Sequence, residues 1–230
     1  MNLELLQAYG PRMLSGLVTT LELVFISAGI GALMALPLAL ARNSRSRLLS
    51  VPAKCYILFF RGTPLLAQLF LIYYGAGQMR GPLDAFHVWW FFRDAFFCAL
   101  FAFTINTTAY QAEILRAALG SLPRGQTEAA ASLGLGSWVT LVRVLLPQAM
   151  ILALRPLGNE LILSLKASAI ASIVTVPELM QATKLAFARS FEFQVYIWAA
   201  VIYFLMVEVV RRVWILFERR LTRHLVRAAV

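Results

Sequence analysis

One apolar stretch of the sequence, near Ala95–Leu119, carries polar side chains in a pattern suited to holding a polar solute. Asn106, Tyr110 and Glu113 are spaced i, i+4 and i+7, so a helix would present all three on one face. Thr107 adds a hydroxyl beside them. An ionisable group in hydrocarbon costs at least about 2.5 kcal/mol, so Glu113 requires a reason to be there.

A second apolar stretch, near Met150–Val174, repeats this pattern. Arg155 and Asn159 lie one helical turn apart, and Glu160 and Ser164 do the same. Glu160 stands ten residues inside the stretch, which favours a ligand site or charge support for one. Two polar faces on neighbouring helices therefore predict a shared hydrophilic cavity.

Helix packing is the alternative explanation for the uncharged members of this set. Hydroxyl and amide side chains such as Asn106, Thr107 and Ser164 also join membrane helices through hydrogen bonds, without any ligand. The sequence leaves both explanations open for these three residues. The carboxylate of Glu160 favours a site.

Composition indicates what kind of element positions these residues. Hydrophobic residues make up 60% of the 230 residues and charged residues only 14%, and the mean hydropathy is +0.75. A soluble domain of this size has no core large enough for so much apolar surface, so the bilayer is the expected solvent. Backbone groups in lipid must be satisfied internally, which predicts helices.

Five apolar runs are long enough to be membrane spans, since a helix needs about 20 residues to cross the bilayer core. They lie near residues 13–40, 53–75, 95–119, 150–174 and 194–217. The second run contains Gly62 and Pro64, where a helix is expected to break or bend. Without internal repeats or linkers, the sequence predicts one all-α, polytopic membrane domain over residues 1–230.

The distribution of Lys and Arg predicts the orientation of this domain. Thirteen of these cations fall on one side, against five on the other. The thirteen are Arg42, Arg45, Arg47, Lys54, Arg116, Arg124, Arg143, Arg211, Arg212, Arg219, Arg220, Arg223 and Arg227. The positive-inside rule then predicts an external N-terminus and a cytoplasmic C-terminus. The net charge of +10 thus indicates topology and lipid anchoring, and nucleic acid is not an expected partner.

Residues 120–149, between the third and fourth runs, are expected to form a cytoplasmic helix–turn–helix elbow. Pro123 and Gly125 are expected to break the preceding helix, and Thr127 to cap a new one. An elbow of this kind, with small residues at its tip, would fit a groove on another protein.

Glycine and proline are expected to set the later boundaries of the elbow. Gly134 and Gly136 are predicted to end its first helix, because glycine adopts the positive φ that a C-cap requires. Trp138, Leu141, Val142 and Leu145 follow at helical spacing. Pro147 is predicted to limit that pattern.

The elbow resembles the EAA loop of importer-type ABC permeases. The resemblance rests on Glu128-Ala129-Ala130, on Gly134 six places further on, and on Leu146-Pro147 twelve places after that. It extends over nearly the whole chain, through segments similar to those of the polar amino-acid permeases of the histidine, arginine and opine type. These segments are Gly16 to Leu21, Arg61 to Leu65, Leu71 to Gly75, Ala109 to Ile114, and Asn159-Glu160 with Lys166.

The resemblance implies a five-span subunit of a bacterial inner-membrane importer. Its implied partners are a second, homologous permease, two copies of a cytoplasmic ATPase and a periplasmic or extracellular solute-binding protein. The implied ATPase-coupling residues are Glu128, Ala129, Ala130, Gly134, Leu146 and Pro147. The implied ligand site lies halfway across the membrane, near Tyr110, Glu113, Asn159 and Glu160.

This chain is expected to be a transport subunit that is not itself an enzyme. No GxxxxGK[ST] loop occurs in it, so ATP and Mg²⁺ are expected on the partner ATPase and no cofactor in the chain. Its two cysteines lie in apolar runs and indicate no metal site.

The sequence departs from the family pattern at two places, one at the end of the third span and one after the fourth-span lysine, Lys166. Arg116-Ala117-Ala118 stands where Arg-Gly-Gly or Arg-Gly-Ala is frequent, and the change stiffens the end of the third span. Ala169-Ile170 stands where Ser-Leu is common, which puts a hydroxyl ligand at that position in doubt.

The sequence therefore predicts a permease subunit of an ATP-driven importer for polar or cationic amino acids or their derivatives, working by alternating access. A secondary transporter, a channel subunit working without an ATPase and a structural membrane-assembly protein are the alternatives. None of the three explains the elbow.

Overall fold

The computed structural model describes residues 3–227, with side chains for residues 7–223, and this part of the chain is helical without strands. The chain passes through eleven α-helices in this part. They are α1 (Leu3–Arg42), α2 (Arg47–Gly62), α3 (Leu65–Gln78), α4 (Arg80–Ala85), α5 (Trp89–Phe92), α6 (Ala95–Gly120), α7 (Arg124–Ser132), α8 (Ser137–Thr140), α9 (Leu146–Ala167), α10 (Leu179–Ser190) and α11 (Gln194–Arg227). A π-helical turn, Leu141–Leu145, joins α8 to α9, and a 3₁₀ segment, Ser168–Val174, follows α9.

Helix α6 lies at the centre of the bundle and packs against α1, α2, α3 and α9. Small side chains allow the closest of these contacts: Ala102, Ala109 and Ala112 are fully buried. At Gly31 on α1, an added Cβ would lie 2.8 Å from Thr107 Cγ2. The side of α1 that carries Gly31 therefore packs directly on the polar segment of α6.

The second predicted span is sharply bent. Helices α2 and α3 are separated by Thr63 and Pro64 and meet at 103°. Pro64 has no amide hydrogen to donate and disfavours helical backbone at the residue before it. Thr63 accordingly takes an extended conformation while its amide closes the last turn of α2 on Phe59 O. The predicted break at this point is confirmed.

Within the described residues, two continuous helical segments are long and apolar enough to cross a membrane: Gln7–Arg42 and Ser137–Val174. The bent pair α2 and α3 meets the same requirement when its two halves are taken together. Helices α6 and α11 cover the other two predicted runs, with 26 and 34 residues. The positions of the runs thus agree with the helices, and the count of five spans stays a prediction.

The first helix of the elbow begins earlier than predicted. Helix α6 ends at Gly120, and α7 starts at Arg124 with Pro123 at its N-cap position. Gly125 and Thr127 therefore lie inside α7, and the predicted break at Gly125 and cap at Thr127 are wrong. Proline is well suited to the start of a helix because its fixed φ is already helical.

The predicted limit at Pro147 is also wrong, because one helical segment continues from Ser137 to Val174. Pro147 cannot donate to the carbonyl four residues earlier, and its ring would clash there. The preceding turn widens into a π-helix, in which the Leu146 amide bonds to Leu141 O. π-Turns of this kind accommodate local disruption without ending the helix.

Candidate functional site

A polar cavity of about 440 Å³ lies between the α2–α3 bend and the middle of α6 and α9. We call it the polar cavity. The charged and polar side chains in its lining are those of Arg61, Thr63, Asn106, Tyr110, Glu160 and Ser164. Four predicted substrate-binding residues, Asn106, Tyr110, Glu160 and Ser164, therefore meet at one place.

Glu160 supplies the negative charge of this cavity, and only 8% of the residue is exposed. Its Oε1 accepts hydrogen bonds from Thr107 Oγ1 at 3.2 Å and from Ser164 Oγ at 3.4 Å. Gln111 Nε2 donates in turn to Thr107 Oγ1 at 3.1 Å. Thr107 is thus a buried support for Glu160 and does not itself line the cavity.

Arg61 supplies the positive charge. The residue is exposed at the end of α2, its guanidinium carbon lies 5.3 Å from the centre of the Tyr110 ring, and it lines the same cavity as Glu160. Tyr110 also donates a hydrogen bond of 3.4 Å to Arg61 O. Two opposite charges consequently face one small space, which is the arrangement that a zwitterion requires.

Gln68, which was not among the predicted site residues, stabilises the bend beside the cavity. The residue is buried, and its Nε2 donates to Phe60 O at 3.0 Å and to Thr63 O at 3.1 Å. Asn106 Nδ2 donates to the same Phe60 oxygen at 3.0 Å. These bonds satisfy carbonyl oxygens that the broken helix leaves open. The sequence feature that could have indicated this role is a single glutamine one turn after Pro64, in an otherwise apolar run.

Two predicted site residues lie elsewhere. Glu113 forms a two-pronged ion pair with Arg116, at 2.6 and 2.9 Å. Asn159 lines another cavity, between α9 and α11. Consecutive residues on a helix are about 100° apart, so Asn159 and Glu160 face different surroundings.

The elbow, residues 120–149, carries the predicted coupling residues on a turn with defined geometry. Gly134 has φ +74°. Its amide bonds to Ala131 O at 2.9 Å, and the Leu135 amide bonds to Ala130 O at 3.0 Å. These two bonds form a Schellman motif. The predicted C-cap at Gly134 is confirmed, whereas Gly136, with φ −65°, begins α8 and does not cap α7.

The surface of the elbow is open to a partner. Glu128 and Ala129 are exposed, while Ala130 packs inward. Leu133 and Trp138 leave 78% and 69% of their surfaces uncovered. Leu146 is half-buried and Pro147 exposed, at the start of α9. Large apolar side chains exposed on a polar segment are typical of a protein–protein contact.

Known proteins resemble this chain in sequence over most of its length. Residues 27–223 match the family described as binding-protein-dependent transport system inner membrane component. The nopaline transport system permease protein NocM of Agrobacterium fabrum is 38% identical over 98% of this chain and 94% of its own length. The histidine/lysine/arginine/ornithine transport system permease protein HisM of Salmonella typhimurium is 33% identical over 96% and 98%.

A solved structure extends the similarity to the whole fold. The structure of an amino acid ABC transporter with histidines superposes on this chain with a TM-score of 0.82 and 39% identity. The match covers 94% of this chain and 96% of that one. With its all-helical bundle and this sequence match over residues 27–223, the chain belongs to the family of binding-protein-dependent transport system inner membrane components.

Proposed function

We propose that this chain is the permease subunit of an ABC importer and that it conducts a cationic amino acid or opine-like derivative through the polar cavity. The buried carboxylate of Glu160 is the observation that carries this proposal. A positive group on the solute replaces the hydration that the carboxylate lacks. The similarity to transport proteins for nopaline and for histidine, lysine, arginine and ornithine supports the same class of solute.

The other cavity residues complete the recognition of an amino acid. The guanidinium of Arg61 suits the α-carboxylate, since arginine binds carboxylates with paired donors. Glu160 suits the ammonium or a cationic side chain. Asn106 and Tyr110 add amide and hydroxyl groups on the α6 side. Neutral or anionic solutes lacking a positive group would leave Glu160 unpaired.

The elbow is proposed to receive the motion of a cytoplasmic ATPase. The Schellman turn at Gly134 holds α7 and α8 in a fixed relation, and Leu133 and Trp138 offer apolar contact surface. From Ser137 to Val174 the chain is one continuous helical segment. Because Glu160 lies on that segment, a displacement at the elbow moves one wall of the polar cavity.

The full importer contains partners that this chain does not supply. We propose a second, homologous permease, two ATPase copies that hold ATP and Mg²⁺, and an external solute-binding protein. The five helical regions cross the inner membrane, with the N-terminus outside and the elbow and C-terminus in the cytoplasm. The distribution of Lys and Arg supports this orientation.

Substitution of Glu160 tests the proposal. The permease is reconstituted into proteoliposomes with its second permease, ATPase and solute-binding protein, and uptake of labelled arginine, histidine and nopaline is measured. Glu160→Gln keeps the size and both hydrogen-bonded neighbours but removes the charge. We expect uptake of all three solutes to fall at least about tenfold, because each carries a positive group and a buried charge pair contributes more than 1.4 kcal/mol.

Glu192→Gln is the matched control, since Glu192 is exposed in the link between α10 and α11. It is expected to leave uptake unchanged. Assembly of each variant is checked by co-purification of the ATPase. An assembled Glu160→Gln complex that transports cationic solutes at the normal rate would contradict the proposal.

A further inference from the structure

A second cavity, of about 430 Å³, opens between α9 and α11 on the elbow side of the bundle. We call it the arginine cavity. Its main lining residues are Arg155, Asn159, Arg211, Trp214, Glu218 and Arg219. It is as large as the polar cavity, and the proposed transport function makes no use of it.

The arginine cavity has an excess of positive charge. Arg155 pairs with Glu218 at 2.6 Å, yet 85% of its side chain is exposed. Arg211 pairs with Glu208, which also binds Arg212. Arg219 has no ion-pair partner among residues 7–223, whose side chains the structure describes. The cavity lining thus contains three arginines and one glutamate, which leaves the site able to accept an anion.

The walls beside these charges are apolar and uncovered. Ile162 and Ile215 line the cavity itself, and Leu152, on the same face of α9 as Arg155, exposes 51% of its surface. Trp214 lies between the two kinds of surface, packed on Gly158 and donating its Nε1 hydrogen to Leu154 O at 3.0 Å. A ligand that covered this region would be charged at one end and apolar at the other.

The depth of the cavity matches the same kind of ligand. The apolar run of α11 ends near residue 217 and that of α9 begins near residue 150, so the cavity spans the boundary between apolar and basic sequence. Tryptophan and arginine at such a boundary are typical of the headgroup region of a bilayer. Basic pockets between membrane helices on the cytoplasmic side bind anionic headgroups.

We propose that the arginine cavity binds the phosphate of an anionic phospholipid, with the acyl chains lying along Ile162 and Ile215. Arg219 and the exposed Arg155 present paired N–H donors to the phosphate oxygens. The bound lipid fills the gap between α9 and α11, next to the segment that joins the elbow to Glu160. This proposal does not depend on the identity of the transported solute.

Lipid retention by the purified permease–ATPase complex tests this site. The complex is stripped of lipid in detergent and exchanged into mixed micelles of phosphatidylglycerol and phosphatidylcholine, and native mass spectrometry counts the bound lipids. Arg219→Gln removes a cation without breaking an ion pair in the described part of the chain. We expect its retention of phosphatidylglycerol to fall about fivefold, the loss typical of one arginine at a membrane surface.

Arg220→Gln is the matched control, because Arg220 is the next residue but does not line the cavity. It is expected to retain phosphatidylglycerol normally, and phosphatidylcholine retention should be equal in all three proteins. Equal effects of the two substitutions, or none, would overturn the site. Binding of inorganic phosphate that displaces the lipid would also overturn it.

A photo-crosslinker in place of Ile215 separates lipid from protein as the occupant. We expect it to label phospholipid in the assembled complex. Crosslinking to the second permease instead would show that the arginine cavity is a subunit contact and would overturn the proposal.

Discussion

Asn106 Nδ2 donates a hydrogen bond of 3.0 Å to Gln68 Oε1, and both side chains also bond to Phe60 O. This pair ties the end of α2, the start of α3 and the middle of α6 together at the bend. The polar cavity opens beside the bend, so the positions of Arg61 and Asn106 depend on it. The packing explanation and the site explanation for Asn106 are therefore compatible.

Replacing Gln68 by leucine is expected to destabilise the bend. The change leaves Thr63 O without its Gln68 donor and removes one of the two acceptors of the Asn106 amide, which costs about 1–3 kcal/mol. Thermal unfolding of the detergent-solubilised complex should begin at a lower temperature, and solute affinity should fall because Arg61 is less well placed. Gln78→Leu, at an exposed position at the end of α3, serves as control; equal unfolding temperatures for the two variants would contradict this role of Gln68.

Replacing Gly134 by alanine is expected to uncouple the elbow. A Cβ there meets no atom within 4 Å, so the cost is that of φ +74° alone, about 1–2 kcal/mol. We expect lower transport per ATP hydrolysed, because the Schellman turn no longer holds α7 against α8. The ratio of solute taken up to phosphate released measures this effect.

Gly136→Ala provides the matched comparison for that experiment. Gly136 also has open space around it, but its φ of −65° suits any residue. Its transport ratio should equal that of the unmodified protein. If both alanine variants remained fully coupled, the rigid turn would not matter for transmission.

Replacing Gly158 by alanine is expected to disturb the contact between α9 and α11. The Trp214 indole occupies the space that the new methyl group needs, and overpacking of this kind costs about 1–3 kcal/mol. The hydrogen bond from Trp214 to Leu154 O should be lost as the indole moves, which tryptophan fluorescence and thermal unfolding would report. Gly29→Ala, where the space is open, should unfold at the same temperature as the unmodified protein or higher. A Gly158→Ala variant with unchanged fluorescence and unfolding temperature would show that the indole has room to shift.

Glu178, in the link before α10, is expected to make stability depend on pH. Burial raises the pKa of its carboxyl, although Met180 N, Gln181 N and Tyr203 Oη donate to it. Because the pKa is higher in the folded protein, the folded state keeps a proton that the unfolded chain has already lost. The free energy of unfolding should therefore fall as pH rises from the ordinary pKa of glutamate through the raised one.

Glu178→Gln removes that titration and should flatten the dependence of unfolding temperature on pH over this range. Glu192→Gln controls for the loss of one carboxylate at an exposed position. An unchanged pH profile in Glu178→Gln would assign the effect to another group.

Local backbone chemistry explains which parts of the fold were predictable. Pro64 cannot continue a helix, and Gly134 reaches positive φ without strain, so the bend and the first elbow turn follow from single residues. The same reasoning failed at Thr127 and Pro147. Pro123 already starts the helix that Thr127 was expected to cap, and a π-turn absorbs the missing hydrogen bond of Pro147.

The sequence by itself determined that the chain needs a lipid environment, where its helices lie and which carboxylates stand among apolar residues, because composition and spacing decide these features. Only the tertiary structure decided which of those polar residues meet. Glu160 faces Arg61 across the polar cavity, Asn159 turns toward the arginine cavity, and Glu113 is neutralised by Arg116. Such choices depend on the rotation of each helix about its axis and on long-range contacts such as Gln68 with Asn106, which no local spacing specifies.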